Sequence, residues 1–280
     1  MNKVWDEQLA QSQDRLEKRK QKKDRIKSYL IKLGLAVLIL GLWYPQYWKR
    51  LIYPSMYGKY NGTPLTISEA DSFQDLPNNA SLITLERHGK TYQFKPRTKY
   101  SVTGKVGYVD TYDGFWNRFY RKHTQEDYIN IVPLDLIIVI GNMAKPEIYN
   151  LFEFFHEERS GGPRCKGVKY KTSFFSGWMT EENYRKNLKK YNACNPYIRA
   201  EEFNNYHPIP SNNNIDKALH MILPGDVIHI EGILVDVPMI GMKTGTRKQQ
   251  HHDYLVSGYN PGMCFILYTT KIILNNHIYE

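Results

Sequence analysis

A few residues in this chain have the types and spacing that chemistry requires. His207 sits in Asn204-Asn205-Tyr206-His207-Pro208, with Pro210 just beyond. The prolines stiffen the backbone, and two amides lie close enough in sequence to hydrogen-bond an imidazole. Such a histidine suits a general base, and it equally suits a structural role with both nitrogens satisfied. Cys264 lies in an apolar run and reads as a buried thiol. Paired with His207 it would form a Cys-His site, but the sequence supplies no third member. Asp135 falls between Leu134 and Leu136 in a strand-like run. A carboxylate there is buried, and its ordinary fate is pairing with an arginine.

His251-His252-Asp253 is the tightest cluster of metal-ligand types. Adjacent strand residues point to opposite faces, and no third ligand can be placed. An exposed loop is therefore the expectation, with a metal site as the alternative. Cys165 and Cys194 flank a loop rich in lysine and aromatic residues. Outside the cytoplasm they can pair, and closing that loop would contribute ~3 kcal/mol. No Gly-rich phosphate loop, HExxH, GxSxG or CxxC motif occurs. No cofactor is expected.

The elements that must position these residues follow from periodicity. Leu82–Glu86 and Thr91–Phe94 flank His88-Gly89-Lys90, a hairpin signal. Tyr100, Val102, Val106 and Tyr108 alternate with polar or small residues as in a half-buried strand. Leu134–Ile140, Val227–Val237 and Cys264–Leu274 read as further strands, rich in β-branched residues. Between them, Pro146 can open a helix carrying Ile148, Leu151, Phe152 and Phe155 at helical spacing. Thr180 can cap a second helix, and Ile215, Ala218, Leu219 and Ile222 mark a third. The fold class is α+β: a β-rich domain with inserted helices. Its strand spacing, with Gly104 and Gly232 as bends, suggests a small barrel of the OB type.

The chain has 280 residues, a net charge of +10, 41% apolar residues and 3 cysteines. That composition excludes a disordered chain and a dense disulfide scaffold. The charge is unevenly placed. Residues 1–28 hold nine basic and five acidic residues, Lys32, Lys49 and Arg50 add three more positive charges, and only +3 remains for residues 51–280. A balanced domain argues against a nucleic-acid partner. The excess instead flanks Leu33–Tyr44, an apolar run without a charge. Residues 29–48 are long enough to cross a bilayer as a helix. Lys32 would snorkel at one edge, and Trp43, Tyr44, Tyr47 and Trp48 would anchor the other. The excess of basic residues before the span places the N-terminus in the cytoplasm. The expected organisation is a basic tail (1–28), a transmembrane helix (29–48), a connector (49–78) and an extracytoplasmic domain (79–280).

The segments PLDLIIVIGNMAKPEIYN (133–150), EEFNNYHPIP (201–210), PGDVIHIEGILVDV (224–237) and GMCFILY (262–268) occur in that order. In this the chain resembles an uncharacterised family of bacterial membrane-anchored proteins, over roughly residues 99–274. The resemblance implies one N-terminal span, a compact extracytoplasmic domain and a place in the bacterial inner membrane. It implies no catalytic residue. The first expectation for function is a non-enzymatic envelope protein held by the lipid bilayer, whose domain binds a protein or ligand partner. Its 22 tyrosines favour a contact surface. The alternative is a membrane-tethered hydrolase using His207 with Cys264 or a metal.

Overall fold

The computed structural model of the chain describes residues 22–23, 25–36, 50, 54, 56–77, 79–112, 126–157, 160–168, 181–245 and 264–280. The chain divides into two units, Met1–Leu51 and Ile52–Glu280. In the first, residues 25–36 are helical and exposed, Lys32 among them. Among the described residues no helix is long and apolar enough to cross a membrane. The remainder of the expected span, with Trp43, Tyr44, Tyr47 and Trp48, lies outside the described residues, as do His251, His252 and Asp253.

The second unit is an α+β domain built on one long strand. In chain order its strands are β1 (Lys59–Tyr60), β2 (Ser72–Asp75), β3 (Ile83–Arg87), β4 (Lys90–Thr111), β5 (Leu134–Val139), β6 (Phe152–Glu157), β7 (Ser160–Cys165), β8 (Phe203–Pro210), β9 (Val227–Asp236), β10 (Phe265–Leu274) and β11 (His277–Tyr279). The helices are α1 (Glu126–Ile131), α2 (Pro146–Tyr149), α3 (Glu181–Cys194) and α4 (Asn213–Leu219). The 22 residues of β4 suffice to pair with β2, β3, β5 and β9 along its length. Register shifts at Pro96/Thr98 and Val106/Tyr108 let it bend between these partners.

The pairings close on themselves. β4 pairs with β5, β5 with β8, β8 with β10, β10 with β9, and β9 again with β4. All are antiparallel except β8 with β10. Gly104 and Gly232 were expected as bends, but their work is close approach. A Cβ at Gly232 would strike the Tyr268 carbonyl on β10, and one at Gly104 would strike Ile138 and the Val139 carbonyl on β5.

Alternation along these strands separates two cores. The first draws on all five strands of the ring and on α4, through residues such as Val102, Leu136, Tyr206, Ile230, Leu267 and Leu219. The second lies on the opposite strand faces and includes Phe94, Tyr112, Ile131, Ile209, Val235 and Ile266. α4 starts with the Asn212 side chain accepting from the Asn214 and Ile215 N–H groups, which satisfies two orphan donors of its first turn.

One expected helix is corrected, and two segments whose structure the sequence left open carry strands. The helix expected to run from Pro146 to Phe155 is only α2, because Phe152–Glu157 pairs with β7 as a hairpin. Phenylalanines at 152, 154 and 155 serve either period, and pairing decides between them. The connector holds two short strands, β1 and β2, which pair with β11 and β4. The segment around His207 is itself a strand, β8, despite Pro208 and Pro210. Its backbone pairs with β5 only through Tyr206, and beyond that point the prolines lie in register with β10 alone. The helix expected after Thr180 is α3, while Thr180 itself lies outside the described residues.

Candidate functional site

Three ring neighbours, β5, β8 and β10, bring three chemical residue types together. Asp135 and His207 each stand one residue beyond the Leu136–Tyr206 pair, so they face one another across β5 and β8. Ile266 is the β10 partner of His207. Two residues before it, on the same face, stands Cys264. Asn205, two residues before His207, shares that face too. All four lie on the side of the strands that carries the second core.

His207 Nδ1–H donates to Asp135 Oδ1, and Tyr112 donates to Asp135 Oδ2; both bonds are short. Tyr128, from α1, donates to Asp135 Oδ1 at 3.2 Å and lies 2.9 Å from His207 Nδ1. His156, from β6, brings Nε2 within 3.4 Å of Asp135 Oδ2. One carboxylate is thus flanked by two imidazoles and two phenols. The arginine expected at Asp135 is absent from these contacts; His207 takes its place. Asp135 is 1% exposed and His207 7%.

Burial alone would raise the Asp135 carboxyl, yet the His207 charge and hydrogen bond, with His156 and Tyr112, hold it below the usual carboxylate range. Burial alone would lower His207. The negative charge of Asp135, joined by charge and hydrogen-bond contributions from Cys264, pushes it up to about 10. His207 is therefore an imidazolium at neutral pH. With Nδ1 committed to Asp135, Nε2 is the nitrogen left for the thiol. Burial and the nearby Asp135 charge push Tyr128 well above the ordinary phenol range, so it is a neutral donor.

Cys264 is held from several directions. Its carbonyl accepts from Gly245 N–H at 3.0 Å. The next link runs through Thr244, whose Oγ1 accepts from Ile266 N–H at 3.1 Å and whose N–H donates to Asp236 Oδ1 at 3.1 Å. Asp236 in turn accepts from Arg97 Nε at 2.8 Å. Both ends of the β9–β10 connection are thereby fixed, and Cys264 stands at one of them. It is the free cysteine, half-buried rather than enclosed. Asn205 Nδ2–H donates to its sulfur at 3.3 Å. Among the described residues, the buried Asn205 Oδ1 has no hydrogen-bond partner.

His156 occupies a shaped slot. Tyr108 stacks on its ring at 6.4 Å, and Gly161, its partner across the β6–β7 hairpin, offers no side chain. A Cβ at Gly161 would meet His156 Cδ2 at 2.7 Å and the Ile137 side chain at 3.2 Å. The hairpin is tied down by a disulfide between Cys165, at the end of β7, and Cys194, at the end of α3, with Cα atoms 5.6 Å apart.

No group of three or more histidine, cysteine or acidic side chains among the described residues is arranged to hold a metal ion. Sequence reasoning paired His207 with Cys264 as an alternative lacking a third member, and named Asp135 apart from them. It missed Tyr112, Tyr128 and His156. The one signal that could have linked Asp135 to His207 is that each is a polar residue on the same side of an apolar strand. No protein-family model, no curated protein and no solved structure matches the chain.

Proposed function

We propose that this chain is a single-pass inner-membrane protein, N-terminus inward, whose extracytoplasmic domain is a thiol-dependent acyl-transfer or hydrolytic enzyme. The observation that carries the reading is the Cys264–His207–Asp135 row, just before β10 and on β8 and β5. It supplies a nucleophile, a proton carrier and an orienting carboxylate, which is the arrangement covalent acyl chemistry needs. Because His207 is already an imidazolium it takes no proton from the thiol, and the reacting form is the one in which the Cys264 proton has gone to solvent and His207 Nε2–H stands beside the sulfur. The thiolate then adds to a carbonyl carbon, and the histidine gives a proton to the leaving group as the acyl–sulfur bond persists. Water, deprotonated by His207, releases the acid. Asp135 keeps Nδ1–H engaged throughout, so Nε2 is the nitrogen that exchanges the proton.

The domain reading is an OB-type barrel. Support comes from the order β4-β5-β8-β10-β9 returning to β4, the parallel β8–β10 pair, and α4 between β8 and β9. In that fold ligands lie on the second and third strands, here β5 and β8, which carry Asp135 and His207. The membrane reading rests on the apolar run flanked by basic residues and on the resemblance to membrane-anchored proteins.

The test uses the full-length protein in detergent with p-nitrophenyl acetate. The expected result is a burst of nitrophenol and one acetyl group on Cys264 by mass. Cys264→Ala abolishes the burst and His207→Ala slows it at least ~10²-fold, as loss of a general acid–base residue does. An acetylation rate unchanged by His207→Ala overturns the reading. A second reading, partner binding without turnover, is favoured by the near-complete burial of His207. It predicts no acylation of Cys264 and a melting temperature lowered by His207→Ala.

A further inference from the structure

Asn205 is the member of the cluster that local structure explains least. It stands on β8 in register with Ile137 of β5, and its neighbour Tyr206 pairs with Phe265, the residue after Cys264. Its side chain therefore lies beside the cysteine on the face shared with His207. A buried asparagine held for structure is normally hydrogen-bonded at both ends of its amide. Here the buried Oδ1 has no partner among the described residues, while Nδ2–H is directed at Cys264 Sγ, 3.3 Å away. A fold gains nothing from an amide that leaves its acceptor unpaired in order to touch a sulfur. A reaction at that sulfur does gain from it.

We propose that Asn205 is a catalytic residue of the thiol site, the donor that receives the oxyanion formed when Cys264 adds to a carbonyl. The inference rests on the thiol reading above. Addition forms one carbon–sulfur bond and moves the carbonyl π pair onto oxygen. That oxygen is two bonds from Sγ, so a donor already in contact with the sulfur reaches it after a small rotation. Collapse returns the pair to carbon, breaks the bond to the leaving group, and sends the His207 proton to that group. A donor fixed beside the nucleophile stabilises charge that develops only in the transition state. The substrate class follows: an ester, thioester or amide whose carbonyl oxygen turns toward β8.

Two reagents separate this role from a structural one. p-Nitrophenyl acetate acylates through an oxyanion. Iodoacetamide alkylates the same thiol by displacement at a saturated carbon and forms none. With the full-length protein, Asn205→Leu, which keeps the shape and removes the amide, is expected to slow acylation ~10²-fold or more. Alkylation of Cys264 should stay close to the wild-type rate, and the melting temperature should not fall. Asn205→Ala serves if the leucine variant does not fold. Equal slowing of both reagents overturns the proposal, as does unchanged acylation. His207→Ala distinguishes the two levels. If it slows both reagents while Asn205→Leu spares acylation, only the asparagine role fails. If it changes neither, the thiol reading itself fails.

Discussion

Asp135 and His207 face each other across β5 and β8 one residue past the last paired couple, and the carboxylate accepts the Nδ1–H of the ring. Backbone pairing brings them opposite; burial then forces them to answer each other's charge. Tyr112, just past the end of β4, Tyr128 on α1 and His156 on β6 close around the same carboxylate.

That pair makes stability depend on pH in the alkaline range. His207 is raised from 6.5 to about 10 in the folded protein. A raised histidine contributes stability that is complete below the unfolded value and lost as pH rises through the folded one. Urea midpoints should therefore fall steadily between about 6.5 and about 10. Asp135→Asn removes the partner charge and should flatten that slope. An unaltered slope in the variant would show that the pair is not its source.

Gly161→Ala tests the slot that holds His156. The added Cβ meets His156 Cδ2 at 2.7 Å and the Phe155 carbonyl at 3.1 Å. Overpacking of this kind costs ~1–3 kcal/mol. Chemical denaturation should show that loss, whereas Gly89→Ala, where no atom lies within 4 Å, acts through its φ of +73° alone and leaves the site untouched.

The Cys165–Cys194 disulfide should survive purification without reductant. Without reductant, thiol labelling after denaturation should modify Cys264 alone. Reduction should cost ~3 kcal/mol, the loop-closure value for this separation. Three labelled cysteines in unreduced protein would show the bridge is not native.

Orientation is open to a fusion experiment. A reporter active only outside the cytoplasm should work when fused after residue 280 and fail when fused after residue 28. The reverse pattern would overturn the N-inward reading drawn from nine basic residues before the apolar run.

Much of the framework was legible from local pattern. Alternation at Tyr100 and Val102 marked β4, the β-branched runs marked β5, β9 and β10, and helical spacing from Ile215 marked α4. These depend on which side of an element is apolar, a property each segment carries alone. β8 was hidden because its prolines argue against a strand, and only register shows that they lie past the β5 pairing. β6 was hidden because its phenylalanines also fit a helix until β7 supplies a partner. The site was hidden for a deeper reason. Asp135 and His207 are 72 residues apart and Cys264 lies farther along, so no local period connects them. The residue types and their strands were written in the sequence. Which strands became neighbours, and so which thiol met which imidazole and carboxylate, was decided by closing the ring, because strand order is a property of the whole fold.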